Sequence, residues 1–291
     1  MRSMLLLALL VTFGFPLVSA EGVQKKGRGK KPKQPAVKSP FKDKNLEAAV
    51  KHVLRHSQGV LSDKNLANVY VLKANGKKIK DLTGLEKCLN LTLLEASDNQ
   101  IKDLSPLKNL SRLQSLDLAK NQIEDLGPLQ ELKALQFLEI TNNNVKSLTP
   151  LAKLNALSAI YGDHNKVSNL SPLTNLKRLN SLSLGHNNIS DVGPLAKLDG
   201  LSVLGLDDNN INDIKPLAAL KEIRLLMLQG NNIKDLSPLV QACEKDAKGD
   251  MRFSPFLRLY LDGTPLTKEA RNEQVKSLRE IGTRVFLNDK K

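Results

Sequence analysis

Apolar residues recur along most of the chain in one pattern with a period of 22 residues. The unit at 113–132 reads LxxLxLxxNxIxxLxPLxxL, and related units follow one another from residue 73 to residue 266. Within each unit, alternation such as Leu116-x-Leu118 predicts a short strand with its leucines on the buried side. The proline that follows predicts a one-turn 3₁₀ segment, because proline is favoured at the start of a helix.

The asparagine that follows each strand is the second regular feature. It occupies the same position in seven consecutive units, as Asn99, Asn121, Asn143, Asn165, Asn187, Asn209 and Asn231. We expect its side-chain amide to bond the backbone groups that the turn leaves unpaired. Further along the unit, six of the seven prolines follow a capping residue or a glycine, which we take to be the cap of the 3₁₀ turn.

One unit cannot fold alone. Ordering 22 residues costs about 20–40 kcal/mol of backbone entropy, and burying seven aliphatic side chains returns only about 10–20 kcal/mol. Stacking neighbouring units supplies the missing burial. This pattern and period are typical of the leucine-rich repeat. We therefore predict an α/β repeat fold, a solenoid with one parallel β-sheet, short 3₁₀ or irregular arms opposite the sheet, and helical caps.

Covers are expected at both ends of the array, 73–266, because its terminal units would otherwise expose apolar surface. An N-terminal cap at 43–72 begins with a predicted helix over 43–56. The apolar face of that helix comprises Leu46, Val50, Val53 and Leu54. A C-terminal cap at 267–291 contains a predicted helix over 269–281 and an edge strand with Val285 and Leu287. An insertion at about 241–255 interrupts the last repeat.

Further motifs carry a family resemblance. Asp-Leu-Ser-Pro-Leu stands at 103–107 and 235–239, and the predicted cap leads into Asp81-Leu82-Thr83-Gly84-Leu85. Together with the 22-residue period, the stretch from 43 to 266 resembles the internalin-like bacterial leucine-rich-repeat proteins. The resemblance implies a right-handed curved solenoid whose concave sheet binds another macromolecule.

The N-terminal segment indicates export. Residues 1–20 combine a basic start, an apolar stretch and the small-residue pattern Val18-Ser19-Ala20, as in a secretory signal peptide, and an uncleaved anchor is the alternative. Residues 21–42 are polar, basic and proline-containing, which predicts a disordered linker. We expect a periplasmic or secreted protein without a transmembrane segment.

Charge is distributed unevenly over the 291 residues, whose formal net charge is +14. Nine Lys or Arg residues lie between 25 and 44, where they could adhere to an anionic envelope surface; an exported protein rarely meets nucleic acid, which we exclude as a partner. The outward strand positions are instead mainly acidic, with scattered aromatic and apolar residues. The predicted partner-binding residues are Glu95, Asp117, Phe137, Glu139, Tyr161, Asp163, Asp207, Met227 and Tyr260.

Catalysis and cofactors are not expected. His52 and His56 are four residues apart, but Val53 replaces the glutamate of a metalloprotease helix. His164 and His186 share one repeat position that Asp208 continues, and rungs about 5 Å apart could share a transition metal, with Asp163 nearby. Because surface histidines are more often simply solvated, we treat these residues as weak candidates and predict no metal. Cys88 and Cys243 are predicted to be two separate free thiols, roughly 30 Å apart.

Two functions of different class follow. The first is a non-catalytic module that binds a protein with a basic or neutral surface on the acidic and aromatic concave face. The second is a structural or adhesive envelope protein that the basic N-terminal tail holds in place.

Overall fold

The computed structural model describes residues 39–55 and 61–288. The predicted signal peptide, His56 and most of the predicted linker lie outside these described residues. The last part of that linker does not behave as predicted. Phe41 is buried, and its ring packs against Gly84 at a distance that leaves no room for a side chain there. The N-terminal cap therefore includes Phe41, two residues before its predicted start.

Ten strands form one parallel sheet in the order in which they occur along the chain. Each strand pairs in register with the next, so equivalent residues of successive repeats lie side by side. The strands are β1 Val71–Lys73, β2 Leu93–Glu95, β3 Ser115–Asp117, β4 Phe137–Glu139, β5 Ala159–Tyr161, β6 Ser181–Ser183, β7 Val203–Gly205, β8 Leu225–Met227, β9 Arg258–Tyr260 and β10 Arg284–Phe286. This confirms the predicted curved leucine-rich-repeat solenoid.

The repeated leucines form one continuous core beneath the sheet. In the unit at 113–132, Leu113, Leu116, Leu118 and Ile123 are all completely buried. Each inward side chain contacts its equivalents in the neighbouring repeats, because the register places identical positions one strand apart. The core therefore runs the length of the solenoid.

The arms return the chain opposite the sheet as 3₁₀ turns, as predicted, and all of these turns except the first contain a proline. The turns lie at Leu85–Lys87, Ser105–Leu107, Gly127–Leu129, Thr149–Leu151, Ser171–Leu173, Gly193–Lys197, Lys215–Ala219 and Ser254–Phe256. The predicted cap was wrong in detail. Ser105 is the first residue of its turn, and the Asp103 carboxylate two residues earlier accepts its backbone N–H at 2.8 Å. Asp125 does the same for Gly127 at 2.7 Å.

Helices cover the N-terminal end. Helix α1 spans Lys44–Val53, and Asp43 caps it by accepting the backbone N–H groups of Asn45 and Leu46. A short helix, α2, follows at Asp63–Leu66. Leu46 and Val50 are buried as predicted, but Val53 is 36% exposed. Ala49 is buried instead. The buried face of the helix is therefore rotated about the helix axis relative to the face predicted from the sequence.

At the C-terminal end, the insertion extends a 3₁₀ arm into a regular helix. Helix α3 spans Ser237–Ala247 and buries Leu239 and Cys243. The cap helix predicted over 269–281 is present as a π-helical turn, Ala270–Gln274, that continues into α4, Val275–Glu280. Strand β10 then forms the edge of the sheet.

Candidate functional site

The outward face of the sheet carries most of the residues that we predict to bind a partner. Seven of them alternate with buried leucines on β2, β3, β4, β5, β8 and β9, and all seven are half-buried. Asp163 and Asp207 instead follow β5 and β7 by two residues, at the margin of the sheet. The face is concave because the strands line the inner side of the curved solenoid.

Three carboxylates form a ladder across neighbouring strands. Glu95 pairs in register with Asp117, and Asp117 with Glu139. Glu95 is also bound by Lys73 at 2.9 Å, while Asp117 and Glu139 each accept a backbone N–H two residues further on. We call Glu95, Asp117 and Glu139 the acidic ladder.

Burial changes the titration of this ladder. Desolvation raises the pKa of Asp117, and it raises the pKa of Glu139 to about 7, with the neighbouring charges of Asp117 and Asp163 adding to the effect. At neutral pH Glu139 is therefore about half ionised. A cationic group that reached it would favour the ionised form.

Two aromatic rings lie beside Glu139, the last residue of the acidic ladder. The ring of Phe137 contacts that of Tyr161, with 5.6 Å between centroids and 44° between planes. Tyr161 is also the register partner of Glu139. We call Phe137, Glu139 and Tyr161 the central patch. Apolar rings and a half-buried carboxylate thus share one small area of the concave face.

Asp163 has a structural role that the sequence does not reveal. Its Oδ1 accepts two hydrogen bonds at 2.7 Å, from the Ser183 hydroxyl and from the Gly185 backbone N–H. The carboxylate therefore ties the margins of two repeats together. Its charge contributes to the acidic face, but one of its oxygens is already occupied.

A second aromatic pair lies at the C-terminal end of the sheet. Tyr260 stacks on Phe286, with 4.3 Å between centroids and 10° between planes. Phe286 was not among the predicted site residues. A signal was available, because the edge strand predicted at Val285 and Leu287 places the residue between them on the outer face. Phe286 is 41% exposed.

The structure does not join the predicted residues into one patch. Between the central patch and Met227 of β8, strands β6 and β7 present mainly small residues such as Ser181, Ser183 and Gly205. Three strand spacings separate β5 from β8, about 14 Å. The concave face therefore has an acidic and aromatic N-terminal half, whereas its C-terminal end carries Met227, the Tyr260–Phe286 pair and two exposed arginines, Arg258 and Arg284.

The histidine candidates meet, but not in the predicted combination. His164 and His186 stack with parallel rings 4.0 Å apart. Their in-plane nitrogen lone pairs cannot converge on one ion. His186 Nε2 lies instead 3.1 Å from Asp208 Oδ2 and 3.7 Å from Asp207 Oδ2. The side chains that meet are therefore His186, Asp207 and Asp208. Asp207 was predicted only as a partner-binding residue, and it takes the place that we predicted for His164.

Both cysteines are free, as predicted, and both are buried. Burial raises the pKa of Cys88 to about 12 and that of Cys243 to about 11. Both thiols therefore remain protonated at neutral pH, and neither is an activated nucleophile.

Comparisons with known proteins agree with this architecture. Residues 89–131, 111–153 and 177–220 match the family model described as Leucine Rich repeats (2 copies). Internalin C2 from Listeria monocytogenes is 36% identical with a TM-score of 0.66, and the match covers 69% of this chain and 89% of that protein. Among the curated proteins, none matches the sequence.

More distant structures share the fold. A leucine-rich-repeat protein of Leptospira interrogans is 22% identical with a TM-score of 0.60, over 74% of this chain and 51% of that one. The functional domain of InlJ from Listeria monocytogenes is 20% identical with a TM-score of 0.55, over 80% of this chain and 58% of that one.

Within the described ranges 39–55 and 61–288, no helix has the length and apolar character needed to cross a membrane. The repeat, the parallel sheet and the helical N-terminal cap occur here together with 36% identity over most of internalin C2. The chain therefore belongs to the internalin-like family of bacterial leucine-rich-repeat proteins, typically non-catalytic scaffolds, and forms a protein-binding module of that kind.

Proposed function

We propose that the protein is exported and binds a protein partner with a basic or neutral surface on its concave face. The contact between the Phe137 and Tyr161 rings beside the half-ionised Glu139 carries this proposal. Two aromatic side chains that already pack against each other lose little further conformational entropy on binding. Aromatic residues also dominate the binding energy of many interfaces.

The acidic ladder favours a partner with Lys or Arg at its centre. Glu139 is partly dehydrated in the free protein, so part of the cost of removing its water has been met during folding. A guanidinium that approached Glu139 could also lie over the Tyr161 ring in a cation–π contact. The partial dehydration of Glu139 and the cation–π contact with Tyr161 would both act at the central patch.

The opposite side of the solenoid carries the contrasting charge. The arms expose Lys108, Lys133 and Lys153, while the sheet side exposes the acidic ladder. Such a separation orients an approaching charged partner and speeds its association. A basic partner would thus be steered to the sheet side.

Site-specific photo-crosslinking tests the location of the interface. A photoreactive phenylalanine analogue would replace Tyr161 in one variant and Lys153 in another, and each purified protein would be exposed to an extract of the source bacterium. We expect one cross-linked partner with the probe at 161 and none with the probe at 153. The reverse pattern would place the interface on the arms.

Binding kinetics of the captured partner test the mechanism. Tyr161→Ala should mainly raise the dissociation rate, with a cost of about 2 kcal/mol if the ring fills a pocket. Glu139→Gln should mainly slow association, because Gln keeps the Thr141 hydrogen bond but not the charge. Tyr70→Ala, at an exposed ring outside the central patch, and Lys153→Gln are the matched controls. Wild-type kinetics in both concave variants would contradict the proposal.

The envelope-adhesion alternative rests on the basic N-terminal segment. Deletion of residues 21–37 tests it and leaves the buried Phe41 in place. If the variant still captures the partner but leaves the envelope fraction, the tail is only an anchor and the concave face is the functional site. If it loses all retention and wild-type protein captures no partner, adhesion is the function.

Mass spectrometry of the exported protein should show Glu21 as its first residue.

A further inference from the structure

We propose that His186, Asp207 and Asp208 form a binding site for a transition-metal dication of the Zn²⁺ class. These residues offer one imidazole nitrogen and two carboxylate oxygens, and the three atoms lie within 4.8 Å of one another. The site lies at the margin of the concave sheet, after β6 and β7. It does not depend on the proposed partner-binding function.

The distances match a shared ion. Two ligand atoms that are each about 2.1 Å from one tetrahedral zinc ion lie about 3.4 Å apart. His186 Nε2 is 3.1 Å from Asp208 Oδ2 and 3.7 Å from Asp207 Oδ2, on either side of that value. Small side-chain rotations would equalise the two distances. The remaining coordination positions are open to water or to a group from a partner.

His186 Nε2 is a buried atom without a hydrogen bond, although Asp208 is near. In the next repeat, Gln229 Oε1 is also buried without a hydrogen-bond partner. Its backbone carbonyl accepts the N–H of Asp208, which places Gln229 beside the cluster. Within the described residues, His186 Nε2 thus has no hydrogen-bond partner, and it faces the two carboxylates.

Two glycines make room for the carboxylates. A Cβ atom at Gly185 would approach Asp207 Oδ1 to 2.6 Å, and one at Gly230 would overlap Asp208 Oδ1. Other repeats carry side chains at these positions, for example Ala119 and Lys120. These two glycines therefore let Asp207 and Asp208 lie against the backbone.

The donor set selects the class of metal. Ca²⁺ and Mg²⁺ prefer sites made wholly of oxygen atoms, whereas an imidazole with two carboxylates suits Zn²⁺ and its neighbours in the first transition row. With a neutral imidazole, the two carboxylates carry two negative charges that a dication would neutralise.

Metal titration of the chelator-treated full-length protein tests the proposal. Isothermal titration with Zn²⁺ at pH 7.5 should show one site per chain, and Co²⁺ should give the visible absorption bands of a tetrahedral complex. His186→Gln and Asp208→Asn should each weaken Zn²⁺ binding about tenfold or more. Two variants are used so that a folding defect in one leaves the other as the test.

Matched controls come from equivalent repeat positions. His164→Gln alters the stacked neighbour of His186, and Asp98→Asn alters an aspartate at the position equivalent to Asp208 but far from the cluster. Both should bind Zn²⁺ as the wild type does. Undiminished binding in His186→Gln, loss of binding in His52→Gln instead, or Ca²⁺ affinity equal to that for Zn²⁺ would overturn the proposal. Failure of the wild type to bind Zn²⁺ would likewise overturn the proposal.

Discussion

Individual asparagines connect neighbouring repeats through hydrogen bonds to the backbone. Asn165 Nδ2 donates to the carbonyls of Ile140 and Gly162, and its Oδ1 accepts the N–H of Val145. One side chain therefore satisfies backbone groups in two consecutive repeats. The residue before it, His164, has a positive φ of 55°. The same left-handed conformation recurs at this position in the other repeats, and it turns the chain out of the strand.

Asn165→Ala tests this role. Alanine leaves buried backbone groups unpaired, so we expect a loss of about 1–3 kcal/mol in the free energy of unfolding. Asn188→Ala, at an exposed asparagine one position after the ladder residue Asn187, should have almost no effect. Urea denaturation of the three proteins measures the difference. Equal midpoints for wild type and Asn165→Ala would contradict the role of the asparagine ladder.

Glu139 should make stability depend on pH. Its pKa is near 4.5 in the unfolded chain and about 7 in the folded protein, so the folded state binds more protons between these values. Stability should fall as pH rises from about 4.5 to about 7. Removing the ionisable group with Glu139→Gln should flatten this slope and stabilise the protein at pH 8 by on the order of 1–3 kcal/mol.

The exposed Glu124→Gln is the control for Glu139→Gln, and it should leave the slope unchanged. Thermal melts at several pH values provide the measurement. Because burial also raises the pKa of Asp117 and Asp207, a residual slope of the same sign should persist in the Glu139 variant. Identical pH profiles for wild type and Glu139→Gln would show that Glu139 is solvated.

At the scale of elements, the end helices complete a core that the repeats leave open. Helix α4 buries Val275 and Leu278, and the turn before it buries Ala270. The Gln274 side chain also accepts the backbone N–H of Leu236, which ties the cap to the last regular repeat. The arms are held more locally, because the side chain two residues before most of the 3₁₀ turns, usually an aspartate, accepts the first N–H of the turn.

Deletion of 267–291 should expose the last repeats and cause aggregation, because terminal repeats need a polar cover. Size-exclusion chromatography and a thermal melt are the measurements. Two point variants test the same cap without removing it. Leu278→Ala should cost about 2–5 kcal/mol, whereas the exposed Lys276→Ala should cost little. A soluble, cooperatively unfolding monomer after deletion would show that the segment is not a cap.

At the scale of the whole molecule, the acidic ladder and many of the exposed lysines lie on different sides of the solenoid. The acidic ladder lies on the sheet, and exposed lysines such as Lys133 and Lys153 lie on the arms. A basic partner would therefore experience an oriented field before contact. This charge distribution affects the association rate, whereas the rings of the central patch affect the dissociation rate.

Salt should consequently change association more than dissociation. Raising the ionic strength from about 0.05 M to about 0.5 M shortens the screening length several-fold, and the association rate of the captured partner should fall. Glu139→Gln should reduce this dependence, while Tyr161→Ala should keep it. Stopped-flow or surface-binding kinetics at several salt concentrations provide the test. A salt-independent association rate would show that steering plays no part.

The sequence by itself determined the repeat, its strands, the asparagine ladder and the outward direction of Phe137 and Tyr161. These follow because each unit contacts only its neighbours, so a local pattern repeated at a fixed period also specifies the packing. Tertiary structure alone decided which side chains meet across repeats. Asp207 rather than His164 joins His186, and Phe286 stacks on Tyr260, because such contacts depend on backbone rotation and on how β10 pairs after the insertion.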